Sequence, residues 1–179
     1  MRFSVGSSVF AAVLLVASCE HPAKTDGKPG SDTPVAEPVV APAPPPANRP
    51  QVFLSTPSGE IPVEVEVVST EAKIERGLMY RQNLPLDAGM LFLLPVTKDW
   101  TFWMHNTLIP LDMIFIRPAM TIAGIVENAE PKTETIRTVG EPSRYVLEVN
   151  GGWTKAHGVV KDAKVRFANV PDRPAPPAR

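Results

Sequence analysis

Proline divides this chain before any hydrophobic periodicity does. Of its 21 prolines, nine lie between His21 and Pro50 and four in the last nine residues, PDRPAPPAR. Only eight fall in the 120 residues from Gln51 to Val170. A proline fixes its own φ and removes a backbone donor, so a dense run can build neither helix nor sheet interior. The folding unit is therefore expected at residues 51–170, with a Pro-rich linker at 20–50 and a Pro-rich tail at 171–179. That middle is long enough to bury a core. It carries 12 Lys+Arg and 14 Asp+Glu, and the whole chain has a net charge of -1. Such a balance lacks the cation excess that a phosphate backbone demands, so no nucleic-acid partner is expected.

The lone cysteine, Cys19, leaves no intramolecular disulfide, and the fold must rest on packing. It closes the leader MRFSVGSSVFAAVLLVASC, which has one early cation, Arg2, and an apolar run strongest from Val9 to Ala17. A short positive start, a short apolar run and small residues before a cut site describe a signal peptide. The run is short for a membrane span. Val-Ala-Ser-Cys resembles a bacterial lipobox, which implies that Cys19 is lipidated and becomes the mature N-terminus. Several acyl chains would anchor it stably, each buried methylene contributing roughly 0.8 kcal/mol. The expected site of action is the bacterial cell envelope, lipid-anchored, with the domain facing the periplasm or the exterior. The stretch that follows, HPAKTDGKPGSDTPVAEPVVAPAPPPANRP, lacks aromatics and cannot offset its ordering entropy by burial. It reads as a disordered, semi-extended spacer.

Within 51–170 the period is two. IPVEVEVV at Ile61–Val68 alternates apolar and acidic residues, as a half-buried strand does. STEAKIERG offers a capping hydroxyl, an acidic first turn and a terminating Gly77, which predicts a helix of about two turns. Further strands are expected at Gln51–Leu54, in MLFLLP, at Asp99–Met104, at Leu111–Ile116, at Met120–Glu127, at Arg144–Val149 and at Ala163–Ala168. Thr135–Thr138 reads as a short edge strand and Trp153–Gly158 as one helical turn. The expected class is mainly β: a compact antiparallel sandwich or barrel with one or two short helices.

The segments ERGLMYR, GMLF, FWMHNTLIPLDMIFI, YVLEVNGG and HGVVKDAKV follow in one order with short spacers. Together they resemble the family called domain of unknown function 192, from Val63 to Phe167. The resemblance implies a compact, often exported, β-rich domain and names no activity. Its motif positions fall on Arg76–Met79, Arg81, Gly89–Phe92, Phe102–Met104, Asn106, Thr107, Ile109–Asp112, Leu147 and Glu148. This chain departs at His105, usually basic in the family, at the Arg117–Met120 hairpin, which lacks the usual Asp/Gly turn, and at Lys161, where glycine is common.

Three chemistries compete for the Asp99–Phe115 stretch, DWTFWMHNTLIPLDMIF. Trp103 and Trp100 offer flat apolar faces, Asn106 and Thr107 hydrogen-bonding groups, and Arg76 and Arg81 forked donors; Arg76, Arg81, Trp103, Asn106 and Thr107 with Asp112 make a candidate ligand site. The bland alternative has Trp103 filling the core and the polar set bracing a turn before Pro110. A carboxylate pair, Asp112 with Glu148, could serve a hydrolase acting on envelope glycans if close and exposed. No GxSxG or HExxH is present and the domain has no cysteine nucleophile, which argues against an enzyme. Met79, Met90, Met104 and His105 are soft or borderline donors that could hold copper. Strand alternation would put Met104 and His105 on opposite faces, and methionine in apolar runs is usually core. Trp153, Lys155 and His157 form a weaker second group, read as packing and helix-end residues. The expectation is a membrane-tethered, non-catalytic binding domain without a cofactor. Its partners are the membrane through Cys19 and a small molecule or envelope protein.

Overall fold

A computed structural model describes residues 48–171. The leader with Cys19, nearly all of the Pro-rich linker and the tail from Asp172 lie outside the described residues. Among the described residues, no helix is long and apolar enough to cross a membrane.

The chain first forms a hairpin. Strands β1 (Gln51–Thr56) and β2 (Gly59–Val68) pair antiparallel across Pro57-Ser58, and Gly59 supplies the positive φ of 119° that closes the turn. Helix α1 (Glu71–Arg76) follows, with Thr70 extended at its start and Gly77 at φ 47° ending it. Strand β3 (Ala88–Asp99) then pairs with β2 in parallel. A parallel pair cannot be joined by a tight turn and needs a crossover of a dozen or more residues. The segment containing α1 is that crossover. The sheet is thus not wholly antiparallel, as the alternating strands had suggested. After an irregular stretch come β4 (Leu111–Ile116), β5 (Ile122–Ala129), β6 (Pro142–Asn150), α2 (Trp153–His157) and β7 (Val165–Ala168).

All seven strands form one sheet in the order β5-β4-β6-β3-β2-β1-β7. The sheet curls into a half-barrel until its ends meet. Thr121 bridges Lys164, Ile122 donates to the Ala163 carbonyl at 3.0 Å and Val165 to that of Met120 at 2.9 Å. Arg117 and Lys161 both bind the Glu141 carboxylate at this seam, so two positions where the chain departs from the family pattern meet in one ion cluster. Met120 takes the left-handed φ of 59° in that turn without glycine.

Strand alternation splits the core in two. One set comes from every strand and fills the inside of the curl, including Leu54, Val63, Leu91, Ile114, Ile122, Leu147 and Val165, with Trp153 of α2 beneath. The other face carries Met90, Phe92, Met113, Phe115 and Val146, with Met104 packed onto it from the covering chain. It is covered by α1 with Leu78 and by the chain from Trp100 to Ile109. Of Asp99–Met104, expected as a strand, Asp99 ends β3 and the rest makes an isolated bridge, Phe102 to Arg137; the Thr135–Thr138 edge strand reduces to the same bridge. The reason is packing: Phe102 is drawn onto Phe92 and Phe115, edge to face at 5.4 and 5.7 Å, and the backbone follows the ring instead of a ladder.

Candidate functional site

Strand β6 lies between β3 and β4, and from Val146 to Val149 it is buried on both faces by the two core layers. Val146 and Glu148 point to the outer core; Leu147 and Val149 point inside the curl. Glu148 registers with Met90 on β3 and Met113 on β4, both fully buried, and so is flanked by thioethers rather than donors. Its residue is 5% exposed and no hydrogen bond or ion pair reaches its carboxylate from the described residues. Burial alone pushes this carboxyl up to about 8. An ionised carboxylate without a partner is costly in such surroundings, so the group keeps its proton at neutral pH.

The carboxyl is not sealed in. It forms part of the wall of a cavity of about 140 Å³ between the outer face of the sheet, α1 and the aromatic segment. Ile74, Gly77 and Leu78 contribute from the crossover, Phe92 from β3, and Trp100, Phe102, Trp103 and Thr107 from the covering chain. Gly77 fits because a Cβ there would lie 3.3 Å from the Phe92 ring, besides the strain of its positive φ. Glu75 and Arg76 stand at the mouth, both exposed.

Of the six residues expected to bind, Arg76, Trp103 and Thr107 line this cavity. Arg81 lies beside it, ion-paired with Glu66 on the wall of a neighbouring groove. Asn106 is engaged with Tyr80: its side-chain amide donates to the Tyr80 hydroxyl at 2.8 Å and its backbone carbonyl accepts from the Tyr80 N–H at 2.9 Å. Both residues hold positive φ, 53° and 66°, so this clasp ties the turn after α1 to the aromatic segment. Trp103 is 46% exposed and stacks on His105 at 5.2 Å, with His105 held by Glu134. Trp103 therefore caps the rim and is not core filler.

Asp112 is buried on the opposite side of the sheet. One oxygen accepts from the N–H groups of Asn128 and Gly152 at 2.7 and 2.9 Å. The other accepts from the Thr154 N–H and hydroxyl at 2.8 and 2.6 Å. Four donors make it the brace that fixes the start of α2 and the end of β5. Asp112 and Glu148 thus lie on different faces, and the paired-carboxylate arrangement a glycan hydrolase would use is not formed. His105 does not join the methionines: Met90 and Met104 are buried in the outer core and Met79 lines the cavity, while His105 is turned to Trp103 and Glu134. Trp153 packs the inner core with His157 stacked on it at 4.1 Å, as a packing group should.

Glu148 is the residue the ligand-site reading omitted, along with Phe92 and Phe102. The signal was in YVLEV: a charge in a run buried on both faces must point inward.

A family model described as uncharacterized ACR, domain of unknown function 192, matches residues 53–167. The chain belongs to this family. Two solved structures share the fold. A Sinorhizobium meliloti protein described as a candidate transcription regulator is 41% identical, with a TM-score of 0.65 over 68% of this chain and 95% of that one. A Novosphingobium aromaticivorans protein of unknown function is 37% identical, with a TM-score of 0.63 over 65% of this chain and 83% of that one. No curated protein matches.

Proposed function

We propose that this DUF192 protein is a lipid-anchored, exported binding protein whose β domain holds a small ligand in the cavity beneath α1. One observation carries the binding reading: the unpartnered Glu148 carboxyl in the wall of an aromatic cavity. Buried polar groups in native proteins are matched, and each exception calls for a reason. A cavity of apolar walls with one convergent polar group is the pattern of small-molecule sites. Arg76, Trp103 and Thr107 are the binding residues expected from sequence that also line it. Arg81, Asn106 and Asp112 serve in this reading as supports.

Export and anchoring rest on the leader and its lipobox-like VASC. The regulator description belongs to the Sinorhizobium meliloti protein; this chain, at net charge -1, lacks the cation surplus of phosphate-backbone binders. A fragment screen by NMR on the indole signals of Trp100 and Trp103 tests the site. Fragments that shift both indoles support it; fragments that perturb neither, across a chemically varied set, refute it.

A further inference from the structure

We infer that the cavity beneath α1 is selective for a small organic cation, an alkylammonium head group, taken up between the aromatic rings and the Glu148 carboxylate. This rests on the binding reading above and names its ligand class. The walls supply two features that a cation needs. Phe92, Phe102 and Trp103 bring ring faces and edges to one space, beside Trp100, whose ring already carries the Lys98 ammonium at 4.1 Å; ring faces attract positive charge. Glu148 brings a carboxyl that no protein cation neutralises.

The charged groups around it are few. From α1, Glu75 and Arg76 line the mouth, one of each sign. The flanking strands offer Met90 and Met113, and the other lining residues carry no titratable group. Arg76 is exposed and makes no ion pair with Glu148 among the described residues. A cationic ligand would be the missing counter-ion. The volume of about 140 Å³ suits a trimethylammonium-sized group, since a cavity of roughly 150 Å³ accommodates benzene.

Uptake then has a proton balance. Empty, the site holds Glu148 as the neutral acid. On binding, the carboxyl O–H proton leaves to solvent and the ammonium takes its place as the charge partner. Cation affinity should rise about tenfold per pH unit up to the pKa of Glu148, near 8.

The test titrates the full chain, held in a maltoside detergent, with choline, its neutral carbon isostere 3,3-dimethylbutan-1-ol, and pivalate. Binding is read by tryptophan fluorescence and calorimetry at about pH 6 and pH 8.5. The inference expects choline to bind best, to strengthen at least tenfold at the higher pH, and to release a proton, seen as a buffer-dependent heat. Glu148→Gln should lose that preference and its pH dependence while still binding the neutral isostere. Trp103→Ala, at the exposed rim, should weaken choline without changing the pH slope. If the isostere or pivalate binds as well as choline, the cation inference fails and the pocket reading stands. If no probe binds at either pH, both fail.

Discussion

Glu148 costs the fold stability at neutral pH, and the cost has a sign. Its folded-state pKa of about 8 lies above the ordinary 4.5. The folded chain keeps a proton that the unfolded chain releases, so this contribution is full below about pH 4.5 and is lost as pH rises to about 8. By pH 7 the loss is of the order of 3 kcal/mol. Denaturant midpoints measured from pH 5 to 8 should fall for the wild type, and Glu148→Gln should flatten the slope. Asp112 has the opposite character. Asp112→Ala strands four donors, three backbone N–H groups and one hydroxyl, and should cost about 3–5 kcal/mol in urea unfolding. Two carboxylates that read alike in sequence thus differ entirely: one is fully matched, the other unmatched.

At the scale of elements, the parallel β2–β3 pair explains why there is a pocket at all. It forces a crossover, the crossover carries α1, and α1 cannot lie flush on a face that also holds the Trp100–Ile109 chain. Gly89 keeps β3 and β6 in register beneath it: a Cβ there would sit 2.6 Å from the Glu148 carbonyl oxygen. Gly89→Ala should therefore destabilise by about 1–3 kcal/mol in thermal unfolding. The Asn106–Tyr80 clasp works differently, since it joins two covering segments outside the sheet. Tyr80→Phe should leave the unfolding midpoint within about 1 kcal/mol of wild type yet speed hydrogen exchange at the Tyr80 and Thr107 amides.

Most of these elements were legible. Leu111–Ile116 is a strand over the very residues expected, β2 and β6 fall where alternation puts them, and α1 ends at Gly77 as expected, although Thr70 makes no side-chain cap hydrogen bond. Asp99–Met104 misled because past Asp99 its alternation is real but belongs to a covering chain: Phe102 goes in and Trp103 out, with the Phe102–Arg137 bridge in place of a ladder. The site was half legible for a related reason. Trp103, Thr107 and Arg76 announce themselves by type, whereas the isolation of Glu148 depends on its cross-strand neighbours, Met90 and Met113, which only the strand order reveals.

At the scale of the whole molecule, the domain is a closed-seam half-barrel and the leader is its proposed tether. Cys19→Ser should shift the protein from the membrane pellet to the soluble fraction, read by fractionation and blotting; an unchanged distribution contradicts the anchor. The central claim is that a lone, protonated carboxyl lies in the wall of an aromatic cavity. Titrating the Glu148 carboxyl carbon by NMR, with Glu148→Gln to assign the signal, tests it most directly. The account predicts a midpoint near 8. A midpoint near 4.5, the ordinary value, would mean that the carboxylate is solvated or paired, and would contradict it.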